Sequence, residues 1–239
     1  MLEIIRDDEK MERNRRIGVF ASGIGFAALL FGVYMNFQGA DNLFIIQWVA
    51  LLIGIMMWQI SLFFTQRYGR LPRVDQVLDE NVRSNYTSHL YHYILPAHHV
   101  MLTRSGVMVF APHPQGGKVE VSGEEGDRWR WNTSTWKKFT GAEMRLGNPT
   151  LTAEGEVAQI VKFIQKKAPE IEEVPIAPVI VFTNPEVDLD GKASRIPAVK
   201  AKELKKLVRK NTGRAMPKEH YERLREIFNA EAGDLLEDD

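Results

Sequence analysis

Histidine is the residue type in this 239-residue chain best suited to acid–base or metal chemistry, and five of its six histidines fall between residues 89 and 113. Imidazole nitrogens bind zinc or copper and move protons near neutral pH. Alternation along a β-strand works against a shared site, because neighbouring side chains point to opposite faces. His98 and His99 are therefore expected to diverge, and so are His89 and His92. We expect surface or partly buried histidines and predict no metal and no cofactor.

A second candidate for binding chemistry is the segment from Lys200 to Lys218, which holds eight basic residues against Glu203 alone. Five of these cations would line one helix: Lys202, Lys205, Lys206, Arg209 and Lys210. Such a face is often only solvated, but it also suits the phosphates of anionic lipid or nucleic acid. We therefore treat these five residues as candidate nucleic-acid or lipid contacts.

Composition excludes several classes of site. The chain contains no cysteine, which rules out disulfides, thiolate zinc sites, iron–sulfur clusters and a cysteine nucleophile. Its 31 basic residues balance its 31 acidic residues, so the chain as a whole has no field that attracts polyanions. No Ser/His/Asp set, Walker loop or dinucleotide-binding glycine pattern is recognisable.

The elements that must position these residues begin with an apolar region near the N-terminus. Residues 17–66 contain a single charged residue, Asp41. Within them, Ile17–Phe37 and Leu43–Thr65 are each long enough to cross a hydrocarbon layer of about 30 Å as a helix. The short polar turn between them requires an antiparallel arrangement. We predict a transmembrane helical hairpin over 17–66, which follows an N-terminal segment of residues 1–16.

The basic residues that flank the two spans predict their orientation. They are Arg13, Arg15 and Arg16 before the first span and Arg67, Arg70 and Arg73 after the second. The connecting turn has no basic residue, so both termini are expected in the cytoplasm of a multi-pass protein of the inner membrane. The alternatives are a cleaved signal peptide, or two buried helices of a soluble core.

Small residues recur four apart in the first span, at Gly18 and Ser22 and at Ala28 and Gly32. This spacing permits close helix approach. It is used either within the hairpin or in a homodimer.

The rest of the chain is predicted to be a linker over 67–74, a cytoplasmic domain over 75–230 and an acidic tail over 231–239. Its elements are a helix over 74–83, strands over 89–95, 99–103, 107–110 and 118–121, a helix from Asn148, a strand over 178–183, a helix that ends near Gly213 and a helix that begins at Pro217. This order is typical of an α/β domain with a mixed sheet. A long connection over 122–147 carries Trp129, Trp131 and Trp136, which we expect to cap an edge of the core or to form a stacking surface.

Five ordered pieces of this domain resemble one protein family. They are HHVMLTRSGVMVF (98–110), GKV (117–119), GNP (147–149), PVIVFTNPEVDL (178–189) and MPKEHYERLREIF (216–228). In this order, the region from about 75 to 230 resembles the NERD, or nuclease-related, domain, which often accompanies transmembrane helices in bacterial proteins. The resemblance implies the PD-(D/E)XK core, a restriction-endonuclease-like αβββαβ fold.

The family would use two strand acids to hold a divalent metal and a lysine to position the attacking water. When the sequences are aligned on Gly106, the family's Asp falls on His98, its Glu on Ala111 and its Lys on His113. Magnesium prefers hard oxygen ligands in octahedral geometry, which these residues do not supply. The resemblance thus implies a nuclease fold with a degenerate site.

The remaining positions of the family pattern lie on helices. The family's Gln after Asn-Pro falls on Thr152, and an acid from the first helix would be Asp79 or Glu80. We expect a catalytically inactive binding or scaffold module for nucleic acid or a protein partner, anchored in the bilayer by two spans. The alternatives are a divergent metal-dependent nuclease that uses His98, His113 and one of these helix acids, and a membrane-surface module held by its basic helix.

Overall fold

A computed structural model describes residues 2–37, 44–69, 72–82, 87–123, 126–134, 145–210 and 215–236. The chain forms two compact units. One unit is Asp8–Arg73, and the other combines Met1–Asp7 with Val74–Asp239. The N-terminal residues therefore belong to the same unit as the C-terminal domain, although the first unit separates them in the sequence.

Two long apolar helices make up the first unit. Helix α1 spans Asp8–Phe37 and helix α2 spans Phe44–Phe64, and a π-helical turn over Thr65–Gly69 follows α2. Both helices are long and apolar enough to cross a membrane. Only 17% of the most apolar stretch of each is buried, whereas the core helix of a soluble protein is mostly buried. The predicted turn between the spans lies outside the described residues.

Small residues allow these two helices to pack closely. Gly18 and Gly25 are buried in α1. A Cβ atom on Gly25 would lie 3.1 Å from the Cβ of Met57, and one on Gly54 would lie 2.6 Å from Cδ2 of Leu29. The hairpin alone therefore explains why glycine occupies these positions. A homodimer through the small residues stays a prediction.

The second unit is a mixed α/β domain built around a six-stranded sheet. In their order across the sheet, the strands are β1 (Leu2–Arg6), β2 (Ser88–His92), β3 (His99–Thr103), β4 (Gly106–His113), β7 (Ile176–Phe182) and β9 (Ala198–Lys200). Strands β2, β3 and β4 are antiparallel neighbours, whereas β1 is parallel to β2 and β7 is parallel to β4 and β9. The predicted 1–16 segment is thus divided, since its first residues form an edge strand and residues 8–16 begin α1.

Helices cover both faces of this sheet. They are α3 (Val74–Asn81), α4 (Pro149–Lys167), α5 (Leu204–Lys210) and α6 (Lys218–Ala232). Leu90 and Met101 pack with α3 and α5 on one face, and Tyr91 and Val100 pack with α4 and α6 on the other. The alternation of strand residues therefore sorts the side chains into two cores. The sequence correctly predicted a mixed α/β domain, but the restriction-endonuclease-like topology stays a prediction.

A second sheet consists, in order, of β6 (Arg128–Asn132), β5 (Gly117–Ser122) and β8 (Val187–Asp190). Strand β6 lies in the region predicted to be a connection. Nε1 of Trp129 donates to Oγ1 of Thr150 at 2.8 Å, and Nε1 of Trp131 donates to the carbonyl of Gly116 at 2.8 Å. Both indoles pack against a core cluster, as the edge-capping prediction required. Trp136 lies outside the described residues.

Candidate functional site

A polar network that is largely buried begins at Arg6, the last residue of β1. Its Nη1 donates to Oδ2 of Asp75 at 2.8 Å, and its Nη2 donates to Oδ2 of Asp79. Asp75 is fully buried in the first turn of α3, where a carboxylate suits the positive end of the helix dipole. One guanidinium therefore bridges two carboxylates on the same helix.

The network continues into the centre of the sheet through two directly paired histidines. Nε2 of His92 lies 2.9 Å from Oδ1 of Asp79, and Nδ1 of His92 lies 2.7 Å from Nδ1 of His99. A carboxylate only accepts, so a His92 ring with one proton carries it on Nε2. Its Nδ1 then accepts from Nδ1–H of His99, which leaves Nε2 of His99 as an acceptor. Both rings are buried, so the arrangement of these protons is protected from bulk water.

Backbone strain lies next to this pair. Tyr93 is the non-glycine residue with a positive φ, at 64°, among those the structure describes. Its ring centroid lies 4.9 Å from that of His99 in an edge arrangement. Strained backbone persists only where its surroundings hold it, and it is frequent at functional sites. The end of β2 is thus a candidate site on grounds of geometry.

The opposite face carries a second histidine site, which is built around Glu156 of α4. The carboxylate of Glu156 accepts from the backbone N–H of His98 at 2.9 Å and lies 2.9 Å from Nδ1 of the same residue. The side chain of Glu156 is 12% exposed and that of His98 is 31% exposed. A carboxylate that accepts from Nδ1–H fixes the tautomer and the orientation of the imidazole, as in acid–base dyads.

His113, at the end of β4, lies within electrostatic reach of the same carboxylate. Burial lowers the pKa of His113 to about 4, although the charge of Glu156 opposes that shift. The ring packs on Phe182, with centroids 5.6 Å apart. Its Nε2 is buried and has no hydrogen-bond partner among the described residues. His113 is therefore a neutral imidazole at pH 7.

The histidines are more deeply buried than their sequence suggests. His89, His92, His99 and His113 are all buried, whereas surface or partly buried side chains were predicted. The predicted divergence is confirmed, because His92 and His99 face α3 while His98 bonds α4. Polar neighbours offset the cost of burial for three of these rings, because Nδ1 of His89 lies 2.8 Å from Oε2 of Glu3 and the rings of His92 and His99 contact each other.

The other predicted site residues are dispersed. Asp79 bonds Arg6 and His92, whereas Glu80 is exposed and Ala111 is buried in a core cluster. Thr152 donates from its hydroxyl to the carbonyl of Asn148. The described contacts therefore place Asp79 and His98 in different groups.

A divalent metal, which the family resemblance implies, does not fit this arrangement. Among the described residues, no group of three or more histidine, aspartate or glutamate side chains has the geometry to hold a metal ion. The positions aligned with the family's strand acids are His98 and Ala111, which supply no carboxylate oxygen.

The five predicted basic residues all lie on the surface around α5. The helix buries Leu204 and Val208. Its four cations are exposed, and so is the lysine of the 3₁₀ turn over Ala201–Glu203 that precedes it; the five are Lys202, Lys205, Lys206, Arg209 and Lys210. The acid within this run, Glu203, accepts from the backbone N–H of Lys200 at 3.2 Å. The carboxylate thus satisfies a backbone donor at the start of the helical segment.

Sequence reasoning missed Arg6, Asp75 and Glu156, which organise the two histidine sites. The contacts of Arg6 and Glu156 join residues 69 and 58 positions apart. A usable signal was present for Asp75, because a carboxylate in the first turn of a predicted helix is placed to receive a cation or to cap the helix.

No protein-family model, no curated protein and no solved structure matches this chain.

Proposed function

We propose that this chain is a two-span membrane protein that holds its α/β domain at the inner surface of the membrane, where the basic face of α5 binds nucleic-acid phosphates. The proposal depends most on one observation: β1 precedes the apolar hairpin in the sequence, yet pairs with β2, which follows it. The domain is in this view a binding module, in line with its resemblance to a nuclease-related domain.

The pairing of β1 with β2 supports the membrane topology. Five residues of β1 pair in register with Ser88–His92, and the backbone N–H of Asp7 donates to the carbonyl of His92 at 3.3 Å. A strand can join a sheet only on the side of the bilayer where the sheet folds. Both flanks of the hairpin then lie on one side, and the arginines that flank the spans favour the cytoplasm.

Cysteine accessibility tests this topology directly, because the chain has no native cysteine. The variants Glu9→Cys, Lys162→Cys and Ala40→Cys place one thiol before, after and between the two spans. We expect a membrane-impermeant maleimide to label the first two in inside-out vesicles and the third in intact cells. Labelling of Glu9→Cys and Lys162→Cys on opposite sides would contradict the proposal.

The exposed cations on α5 and on the turn before it support the choice of partner. Five exposed basic side chains on one short surface attract phosphates, and the nearby carboxylate of Glu203 bonds the backbone. Phosphate contacts of this kind do not depend on sequence. We therefore expect non-specific, salt-dependent binding of DNA or RNA.

Binding is best measured with the full chain in nanodiscs of neutral lipid, with labelled single- and double-stranded DNA. Lys205→Gln combined with Lys206→Gln is expected to weaken binding and to reduce the salt dependence, by about 0.7 to 0.9 in the logarithmic slope for each phosphate that the variant no longer neutralises. Lys162→Gln combined with Lys166→Gln removes two exposed lysines of α4 and is the matched control. Binding to anionic vesicles without any binding to DNA or RNA would assign this face to lipid and overturn the proposal.

A second candidate function, phosphodiester hydrolysis, is favoured by the contact between His98 and Glu156. In this view the carboxylate of Glu156 orients the imidazole of His98, which acts as the base. Plasmid and single-stranded DNA would be incubated with the full chain and magnesium, manganese, zinc or EDTA. Cleavage that is abolished in both His98→Ala and Glu156→Gln would support hydrolysis, whereas cleavage that persists in both would reject it.

A further inference from the structure

The residues on either side of the hairpin are tied together within the α/β unit. Arg6 lies two positions before α1 begins at Asp8, and Asp75 lies two positions after Arg73, the last residue of the hairpin unit. The guanidinium of Arg6 nevertheless donates to the carboxylate of Asp75 at 2.8 Å. One ion pair thus joins the point where the chain leaves the α/β unit to the point where it returns to that unit.

The same guanidinium continues to the buried histidines. Arg6 also bonds Asp79, Asp79 contacts His92, and His92 contacts His99. His92 and His99 are directly paired residues of β2 and β3, so the network ends in the middle of the sheet. We use the term latch for these five residues: Arg6, Asp75, Asp79, His92 and His99.

We propose that the latch transmits rearrangements of the two membrane helices to the His92–His99 pair. The inference rests on the proposed membrane anchoring of the hairpin, but not on nucleic-acid binding. Helix α1 begins at Asp8, directly after β1, so a change in its tilt or rotation acts on Arg6 through a single intervening residue. The chain connection on the other side leads directly into α3, which carries both carboxylates of the latch.

The geometry of the latch favours two states, one with Arg6 bound to both carboxylates and one with Arg6 released, over a gradual change. A guanidinium that bridges two carboxylates binds both only within a narrow range of positions. The carboxylate of Asp75 is fully buried, so it cannot exchange Arg6 for water without opening the structure. Strand β1 is at the edge of the sheet and carries Arg6, which makes it the element that moves when the latch opens.

Opening of the latch would affect His92 and His99 through Asp79, which contacts His92. Its carboxylate holds the proton on Nε2 of His92, and this proton determines which nitrogen of the His92–His99 pair donates. A displaced Asp79 therefore changes the hydrogen bond between the two strands. The amides of β2 and β3 report that change, since these strands pair through the same residues.

Bilayer thickness supplies the stimulus, because hydrophobic mismatch alters helix tilt. The full chain would be placed in nanodiscs of phosphatidylcholine with chains of 14 or 22 carbons, and hydrogen exchange would be followed along the sheet. We expect exchange in Ser88–His92 and His99–Thr103 to differ at least about threefold between the two bilayers. Exchange in Ile176–Phe182 is expected to stay unchanged, because β7 lies away from the latch in the sheet.

Two matched insertions test whether the covalent junction carries the response. Six glycine and serine residues between Asp7 and Asp8 uncouple α1 from Arg6 and should abolish the thickness dependence. The same insertion between Gly39 and Ala40 lengthens the predicted connection between the two spans and should preserve the thickness dependence. The latch proposal would be overturned if hydrogen exchange in β2 of the native chain were the same in both bilayers. It would also be overturned if the chain with the insertion between Asp7 and Asp8 still showed a thickness dependence. The single-cysteine variants described above, labelled in intact cells and in inside-out vesicles, show separately whether the hairpin spans, so a failure of anchoring is distinguishable from a failure of the latch.

Discussion

This domain has two histidine sites, which lie on opposite faces of one sheet. The hydrogen bonds and the charged neighbours of the imidazole differ between the two sites. His92 and His99 bond each other within a network that contains a guanidinium and two carboxylates. His98 bonds a single carboxylate on α4, and His113 is buried with its Nε2 unbonded among the described residues. The rings of the first site are thus hydrogen-bonded within a network, whereas the second site contains His113, for which no hydrogen bond among the described residues to Nε2 offsets the cost of burial.

The difference follows from strand alternation at adjacent positions. His98 and His99 follow each other in the sequence, yet His98 contacts α4 and His99 bonds the ring of His92 on the side of α3. Histidine side chains on each face of the sheet therefore contact the charged residues of the helix that covers that face. Two acids on α3 and one on α4 therefore determine what each imidazole can do.

The largest expected effect comes from removal of the cation of the first site. In Arg6→Ala, the carboxylate of Asp75 stays buried without its guanidinium, so we expect the free energy of unfolding to fall by about 3 kcal/mol. Thermal unfolding of the detergent-solubilised chain, followed by tryptophan fluorescence, measures this change.

The matched control for that prediction is Arg15→Ala. Arg15 contacts Glu12 on an exposed surface of α1, so its removal is expected to leave the unfolding midpoint unchanged. Equal midpoints for Arg6→Ala and the native chain would show that the network does not stabilise the domain. The contrast between the two histidine sites would then be wrong.

Acidification is expected to lower the free energy of unfolding by a smaller amount, through His113 of the second site. Burial lowers the pKa of His113 to about 4, whereas an unfolded chain has the ordinary value near 6.5. The unfolded state therefore binds more protons between these values, and stability falls as the pH drops through this window. The linkage amounts to about 2 kcal/mol at pH 5 relative to pH 7.

His113→Phe isolates this contribution. The apolar ring suits a site beside Phe182 and takes no proton, so the difference in unfolding free energy between pH 7 and pH 5 should shrink by about 2 kcal/mol. Gln165→Ala, which changes an exposed residue of α4 that does not titrate, should retain the native pH dependence. An unchanged pH dependence in His113→Phe would mean that this ring is not held neutral.

Local signals in the sequence predicted much of the fold. The Asn148-Pro149 start of α4 is confirmed, because the Asn148 side chain accepts from the backbone N–H groups of Thr150 and Leu151. The run over 178–183 is confirmed as β7, which is flanked by strands on both sides. Caps and buried strands were predictable because adjacent residues determine them.

Elements that depend on distant partners were missed. Strand β1 has only five residues and becomes a strand by pairing with β2, more than eighty positions away. The Arg-Trp-Arg-Trp alternation of β6 is a visible signal with the period of a strand, although the polar residues around it predict a connection. In the sites, histidine alternation was predictable, whereas Arg6 and Glu156 were not, because nothing local indicates their partners.

The smallest expected effect tests whether the dyad of the second site is chemically different from an ordinary surface ion pair. Glu156→Gln keeps the shape of the side chain but removes the charge beside Nδ1 of His98, at a cost of about 1 kcal/mol in unfolding free energy. The control, Glu154→Gln, removes the carboxylate that pairs with Arg195 on the exposed side of α4 and should have no measurable effect. Nitrogen NMR of labelled histidine gives the decisive readout, because removal of the carboxylate should shift the proton of His98 away from Nδ1 in Glu156→Gln alone. If both variants give the native histidine spectrum, Glu156 does not orient His98, and the second site has no acid–base dyad.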